Sequence, residues 1–304
     1  MNEKAKKVVK NVFGKFGFEI RKIRFEHDRF NSLEKTQSAN CQGCSLKDIK
    51  ADEGWENFKK KAAGAVVDSE IAKNPFFYTK RIMFELSNIC NYSMIHLKCP
   101  INLMRDNPTI LPSKIFYGCI DSLKKHEFKG EIAFHNYNEP LIDPRLFKFI
   151  EYIKKALPKN EIYICTNGFY LTQTMADELV EAGVTAFHVS VYFQKELKRF
   201  SKINFKVPFK LTPTDLLDNI ISIYNGKELN LNKPCSAPFD EVIISRDGDV
   251  SLCCLDWKRV YTFGNLKDQA LDQIVGGPVM SVLYKRLKKG DRFLEICKRC
   301  NQIR

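Results

Sequence analysis

The central part of the chain alternates between two hydrophobic patterns, one typical of buried strands and one typical of amphipathic helices. Short apolar runs near Ile82, Glu131, Glu161 and Ala186 predict strands. Apolar residues spaced three and four apart predict the intervening helices, at residues 113–125, 145–156 and 173–182. Strands that alternate with helices form a parallel sheet, either open or rolled into a barrel. Residues 79–228 therefore predict one α/β unit.

Polar residues follow the predicted strands at their carboxyl ends. These residues lie at 87–91 after the first strand, 136–140 after the second and 166–168 after the third. In the fourth strand, His188 and Ser190 are two residues apart and share one face. Binding sites in parallel sheets lie at the carboxyl ends of the strands. We expect these polar clusters to line one pocket.

The C-terminal part of the chain carries a β-hairpin signal and a group of cysteines. An Asp-Gly turn at Asp247 separates two apolar runs, residues 241–244 and 250–253, and predicts a hairpin. Four cysteines surround this hairpin: Cys235, Cys253, Cys297 and Cys300. Four thiolates suit either tetrahedral zinc or an iron–sulphur cluster, and spacing alone does not separate these two. Unconnected buried thiols are the third interpretation, which the C-x-x-C pair disfavours. Residues 229–304 are predicted to form a small metal-binding domain.

The composition bears on the expected cellular location and on the expected binding partners. The chain has 304 residues, 44% of them hydrophobic, and 11 cysteines. It shows no apolar signal-peptide region and no run that approaches a membrane span, so the cysteines predict cytoplasmic thiolates or cluster ligands and not disulfides. The net charge of +13 is dispersed among many acidic residues, and no nucleic-acid-binding motif accompanies it. A nucleic acid is therefore not the expected partner.

Residues 1–78 predict a helical N-terminal extension. Its first 30 residues are basic, and their apolar residues recur at helical spacing. Such a helix either contacts an anionic membrane surface or a partner protein, or docks on its own domain. The extension also contains a C-x-x-C pair, Cys41 and Cys44.

From about Arg81 to Cys300 the chain resembles the radical S-adenosylmethionine (radical SAM) enzymes that carry a C-terminal SPASM or twitch domain. Residues 137–140 resemble the Gly-Gly-Glu-Pro motif of that family, in which Glu139 matches the acid that accepts hydrogen bonds from the ammonium group of S-adenosylmethionine (SAM). Asn167 lies in a run that resembles the next family element, and Ser190 matches a position that faces the ribose. The resemblance implies the following SAM-binding residues: Asn138, Glu139, Pro140, Asn167 and Ser190.

The same resemblance implies a second site in the tail. In the family, four cysteines of this domain hold an auxiliary [4Fe-4S] cluster, and they match Cys235, Cys253, Cys297 and Cys300. Cys254 adjoins Cys253, and the family spacing favours Cys253 without excluding its neighbour.

The loop after the first strand departs from the family motif C-x3-C-x2-C. Cys90 is followed by Met94 and Leu97 where the other two cysteines are expected, whereas Cys99 precedes a proline as the last family cysteine often does. The residue three before Cys99 is His96, and we expect Cys90, His96 and Cys99 to ligate a first [4Fe-4S] cluster, since imidazole ligates iron in Rieske centres.

Other roles remain open for these residues. The imidazole of His96 could instead pack near the adenine of SAM, and the arm that contains Cys41 and Cys44 could supply the missing thiolates. Cys119 and Cys165 are expected to be core thiols, with Cys165 pointing toward the site.

The resemblance implies a partial (β/α)6 TIM-like barrel, one or two [4Fe-4S] clusters, SAM and an external electron donor. It implies an oxidoreductase in which a 5′-deoxyadenosyl radical abstracts hydrogen from a peptide or sugar-like substrate and so oxidises or modifies it. No catalytic residue is assigned. The alternative is a non-catalytic relative, stabilised by a metal cluster, that acts as a scaffold or partner protein.

Overall fold

The computed structural model describes residues 53–93, 95–96, 99–103, 108–214, 223–224, 226–229 and 231–301. The predicted basic helix in residues 1–30 and the pair Cys41 and Cys44 lie outside the described residues. Their proposed roles stay predictions. No helix in the described part of the chain is long and apolar enough to cross a membrane.

Eight strands and ten α-helices make up the described structure. The strands are β1 (Arg81–Phe84), β2 (Glu131–Phe134), β3 (Ile162–Thr166), β4 (Ala186–Val191), β5 (Phe209–Pro213), β6 (Glu241–Ile244), β7 (Asp249–Ser251) and β8 (Thr262–Asn265). The helices are α1 (Glu53–Ala62), α2 (Ser69–Lys73), α3 (Ser113–Lys125), α4 (Leu146–Ala156), α5 (Gln173–Ala182), α6 (Gln194–Phe200), α7 (Ala237–Asp240), α8 (Leu271–Val275), α9 (Pro278–Lys288) and α10 (Glu295–Arg299). Short 3₁₀ helices cover Pro100–Asn102 and Pro140–Ile142.

The strands form one sheet in the order β5-β4-β3-β2-β1-β6-β7-β8. All neighbours from β5 to β6 are parallel, and β6, β7 and β8 are joined by antiparallel pairs. Within the described residues, β5 and β8 are the two edges, so the sheet is open. The predicted α/β fold is confirmed, and the parallel part is consistent with a partial barrel.

The predicted tail hairpin is present, and it extends the central sheet. β6 pairs in parallel with β1, so one continuous sheet contains strands from both sides of the predicted domain boundary at residue 229. β7 ends at Ser251, two residues before Cys253, because its pairing with β8 is irregular at Val250 and Ser251. Cys253 therefore lies in the loop after the hairpin and not in its second strand.

The two faces of the sheet are covered differently. In β4, Phe187, Val189 and Val191 are buried in the main core with the helices, whereas His188 and Ser190 on the opposite face are only half-buried. A parallel strand that is covered on both faces is apolar on both faces. The opposite face, which we call the concave face, therefore leaves polar side chains open to a ligand.

Helix α1 packs against the tail. The indole of Trp55 is fully buried, makes edge contacts with the rings of Tyr261 and Phe263, and donates from Nε1 to the carbonyl of Thr262 at 3.2 Å. Phe58 packs on Phe293 with ring centroids 5.0 Å apart. The described part of the N-terminal extension thus contributes to the core of the C-terminal domain.

Candidate functional site

Cys90 and Cys99 lie together in the loop after β1. Burial, together with the charges of Glu139 and Cys99, raises the pKa of the Cys90 thiol to about 12. Burial also raises the pKa of the Cys99 thiol, to about 11. Buried thiols with such pKa values ionise when a metal cation binds them, because the cation offsets the cost of burying the thiolate. The structure thus brings two of the three predicted ligands of the first cluster into electrostatic contact.

The third predicted ligand, His96, is anchored in the same loop. Its side chain is 5% exposed, and its ring centroid lies 5.5 Å from that of Tyr192. Its backbone carbonyl accepts from the Cys99 N–H at 3.0 Å and from the Asn102 side-chain amide at 2.8 Å. These contacts hold the His96 backbone and place its ring beside Tyr192, an arrangement that suits both the ligand and the packing roles.

Glu139 is the one acid among the predicted SAM-binding residues, and it is buried at 1% exposure. Its Oε1 accepts from the hydroxyl of Thr166 at 2.6 Å and from the N–H of Leu141 at 3.1 Å, and its Oε2 accepts from the N–H of Asn167 at 2.7 Å. Burial raises the pKa of Glu139 to about 7, although the three hydrogen bonds oppose the shift. A carboxylate oxygen has two acceptor sites, so Oε2 retains one for a cationic ligand.

Asn167 connects the third strand end to the cysteine loop. Its side-chain amide donates to Asn91 Oδ1 at 2.8 Å and lies 3.8 Å from Cys90 Sγ. The N–H of Glu139 donates to the carbonyl of Ile89 at 3.0 Å. The loops after β1, β2 and β3 therefore meet, as the polar clusters of the sequence predicted. Ser190 lies on the concave face of β4, in register with Thr212 of β5.

Several buried polar atoms near this loop lack a hydrogen-bond partner within the described part of the chain. They are Oδ1 of Asn102, Oδ1 and Nδ2 of Asn138, Oε2 of Glu196 and Nε1 of Trp257. Each belongs to a residue tied to the site: Glu196 accepts from the hydroxyl of Tyr92 at 2.8 Å, and Trp257 shares a packed group with Cys99. Buried polar atoms in native proteins are almost always bonded. This concentration fits a polar cofactor in contact with the loop.

The four predicted tail ligands are brought together around Cys297. Burial, together with the neighbouring Cys235 and Cys300, raises the pKa of the Cys297 thiol to about 12. Burial likewise raises the pKa of Cys253 well above its usual value, with contributions from Cys254 and Cys297. Cys254 itself packs on Met83, Ala133 and Ile243 at the concave face.

The four thiols have the donor chemistry of an iron–sulphur cluster. Among the described residues, no three His, Cys, Asp or Glu side chains converge closely enough to ligate a single metal ion. The thiolates of a [4Fe-4S] cluster bind four different irons at the corners of a cage, and so they stand further apart than the ligands of zinc.

A buried ion network beside the site was not expected from the sequence. Glu85 is fully buried and accepts from Arg246 at 2.9 Å and from Arg259. It also accepts from the side-chain amide of Asn136 at 2.7 Å. Glu85 directly follows the apolar residues of β1, and a charged residue in such a run was the available signal. Its two arginine partners follow it by more than 150 residues, and no local pattern identifies them.

Comparisons with known proteins agree with the resemblance that the sequence predicted. A family model described as the SPASM iron–sulphur cluster-binding domain matches residues 235–301. The S-adenosyl-L-methionine-dependent 2-deoxy-scyllo-inosamine dehydrogenase of Niallia circulans is 24% identical over 232 residues, which cover 73% of this chain and 92% of the relative. These matches confirm the predicted similarity to radical SAM enzymes with a C-terminal SPASM domain.

Solved structures agree with the fold of this protein. Crystal structures of BtrN match 74% of the chain. For the complex with AdoMet and 2-DOIA, the TM-score is 0.64 at 24% sequence identity, and the match covers 94% of the BtrN chain. For the open selenomethionine form, the TM-score is 0.58 at 25% identity, and the match covers 92% of the BtrN chain. The predicted enzyme class, oxidoreductase, and the predicted cofactors, [4Fe-4S] clusters and SAM, are confirmed at the level of the family. The scaffold alternative is set aside.

Proposed function

We propose that this radical SAM enzyme oxidises a secondary alcohol of a sugar-like ring to a ketone. The observation that carries the proposal is the match over 92% of a curated relative whose name describes the dehydrogenation of 2-deoxy-scyllo-inosamine. A peptide was the other predicted substrate, and neither the curated dehydrogenase nor the BtrN structures support it.

The chemistry of the concave face supports a hydroxylated substrate. His188 Nε2 lies 2.7 Å from Thr212 Oγ1, and His188 Nδ1 lies 3.9 Å from Cys165 Sγ. Burial, together with the nearby charges of Lys210 and Arg81, lowers the pKa of His188, so the imidazole is neutral near pH 7. A neutral imidazole beside a hydroxyl offers both a donor and an acceptor, which suits ring hydroxyl groups.

The loops after β2 and β3 are the proposed SAM site. Glu139 would accept from the SAM ammonium group through the free acceptor site of Oε2, and the unpartnered side chain of Asn138 would complete its hydrogen bonds there. Pro140 shapes the turn, Asn167 holds the loop of Cys90, and Ser190 would face the ribose. Bound SAM supplies one-electron reductive cleavage and a radical that abstracts hydrogen, while these residues orient it.

Two clusters are proposed. Cys90, His96 and Cys99 would hold the cluster that binds SAM, and Cys235, Cys253, Cys297 and Cys300 would hold the auxiliary cluster. An external reductant would supply the electron for SAM cleavage, and a cytoplasmic location stays a prediction.

The test is an anaerobic turnover assay of the reconstituted enzyme with SAM, dithionite and 2-deoxy-scyllo-inosamine, followed by a panel of related cyclitols. We expect one 5′-deoxyadenosine for each ketone formed, with deuterium transferred into 5′-deoxyadenosine from a substrate deuterated at the carbinol carbon. The matched control is Cys90→Ala, which should abolish both products. SAM cleavage without oxidation of any cyclitol would contradict the proposed substrate class, and two bound clusters would give about eight irons per chain.

A further inference from the structure

The indole N–H of Trp257 is a buried donor for which no acceptor lies among the described residues. Its side chain is 3% exposed, and Nε1 has no hydrogen-bond partner in the part of the chain that the structure describes. A buried indole N–H usually finds an acceptor, because leaving it unbonded costs its full desolvation energy. An acceptor that is not part of the polypeptide would satisfy it.

Trp257 lies where the SPASM domain meets the loop of the first cluster. Trp257 and Tyr137 form a small packed group apart from the main core, and Cys99, Leu103 and Tyr224 pack against it. The ring of Tyr224 meets the indole edge-on, with centroids 5.6 Å apart. Cys99 thus brings a sulphur ligand of the proposed first cluster to the group that contains the unbonded indole N–H.

The other polar groups around the indole already have partners. The Tyr137 hydroxyl donates to the carbonyl of Cys254, and the Tyr224 hydroxyl donates to Asp256 Oδ1. Asp256 also accepts from the N–H groups of Val260 and Tyr261 at 3.1 and 2.9 Å. The loop that carries Trp257 is therefore held in place, and the indole is positioned before any cofactor binds.

We propose that the Trp257 Nε1–H donates a hydrogen bond to a sulphur of the [4Fe-4S] cluster ligated by Cys99. The inference rests on the proposed first cluster and goes beyond the proposed reaction. Reduction makes a cluster more negative, so an N–H directed at its sulphur stabilises the reduced form and raises the potential. Trp257 would be a positioning residue through which the C-terminal domain tunes the cluster that cleaves SAM.

The first test uses the unmodified sequence. The chain contains two tryptophans, and the other one, Trp55, donates its Nε1–H to the carbonyl of Thr262. Protein grown with tryptophan labelled with ¹⁵N in the indole ring is reduced, and pulsed electron paramagnetic resonance (EPR) is recorded on the cluster whose spectrum changes when SAM is added. We expect a ¹⁵N coupling to that cluster. Absence of the coupling, with the SAM-sensitive cluster present, would overturn the inference.

The second test measures reduction potentials. In Trp257→Phe, the SAM-sensitive cluster should be reduced about tenfold less favourably, which is about 59 mV for one electron. The auxiliary cluster should keep its potential, and the control Trp55→Phe should shift neither cluster. A shift confined to the auxiliary cluster, or none at all, would contradict the proposed bond. If Trp257→Phe loses iron, the labelling experiment alone decides.

The outcomes separate this inference from the proposals on which it rests. A preparation with no SAM-sensitive cluster would refute the first cluster site itself. A SAM-sensitive cluster without ¹⁵N coupling would refute the role of Trp257 only. Neither measurement requires a substrate, so failure of the cyclitol assay leaves both results interpretable.

Discussion

The backbone N–H of Asn167 donates to Glu139 Oε2 across 2.7 Å and so joins the loops that follow β2 and β3. The bond orients the carboxylate and leaves one acceptor site on Oε2. A cationic ligand at that site would also offset the burial that raises the pKa of Glu139 to about 7. The geometry at this pair of residues leads to the first prediction.

Glu139→Gln should weaken SAM binding about ten- to hundredfold, since a hydrogen bond to a charged group contributes about 1.5–3 kcal/mol. Isothermal titration of SAM into reconstituted protein would measure the loss, and iron content should stay unchanged. The exposed Glu178 on α5 supplies the control variant Glu178→Gln. Equal SAM affinity in the Glu139 variant and the parent would remove Glu139 from the site.

The adjacent Cys253 and Cys254 form a matched pair for the auxiliary cluster. Cys253 interacts with Cys297, whereas Cys254 packs on the concave face. Cys253→Ser should lose about four irons and melt at a lower temperature, because cluster binding is coupled to folding, while Cys254→Ser should keep its iron. Iron and sulphide analysis distinguishes the two. Iron loss in Cys254→Ser alone would reverse the assignment.

The first cluster depends on the role of His96. His96→Cys should keep that cluster and lower its potential, because thiolate replaces imidazole, and His96→Ala should lose it. EPR of the reduced protein with SAM would show whether each variant retains the first cluster, and a redox titration followed by EPR would give the potential in His96→Cys. A full cluster with unchanged spectra in His96→Ala would show that the imidazole only packs against Tyr192. The missing thiolates would then be sought at Cys41 and Cys44.

The buried Glu85 network should be costly to break. Glu85→Gln removes the charge that Arg246 and Arg259 share, and breaking a buried ion pair costs about 3–5 kcal/mol of unfolding free energy. Denaturant unfolding would measure the change. The exposed pair Glu127 and Lys129, 3.7 Å apart, gives the control Glu127→Gln, for which we expect almost no change. Equal effects of the two variants would contradict the buried network.

A pH-dependent contact links α3 to α8 in the C-terminal domain. Burial acts to raise the pKa of Asp272, but hydrogen bonds from His126 and Lys125 at 2.9 Å outweigh it and lower the pKa below the usual 3.8. The charged Asp272 carboxylate therefore stabilises the folded protein fully above pH 3.8. This stabilisation is lost as the pH falls through the lowered pKa of Asp272 in the folded state.

The melting temperature of Asp272→Asn should accordingly be lower than that of the parent at pH 7. The difference between the two melting temperatures should shrink as the pH falls below 3.8. Thermal melting across this pH range would test it, with the exposed Asp268→Asn as the control. A difference that persists unchanged in acid would show that the charge of Asp272 is not the cause.

The elements with a strong local pattern were predictable. Residues 113–125 and 173–182 form the expected helices, and β2, β4 and β6 have the expected bounds. β5 was not identified, because an edge strand with exposed and half-buried residues lacks a clear apolar alternation. Periodicity reports which face of an element is buried, and β5 buries little of either face.

The sequence by itself determined the α/β class, the strand-end polar clusters and the tail cysteines, because each depends on residues close together in the chain. Only the tertiary structure decided that β6 pairs with β1, that Glu85 meets Arg246 and Arg259, and that Trp257 and Cys99 join one packed group. These contacts join residues more than 150 positions apart. Their partners are selected by how the whole sheet and its loops pack, and neither spacing nor periodicity along the chain encodes that choice.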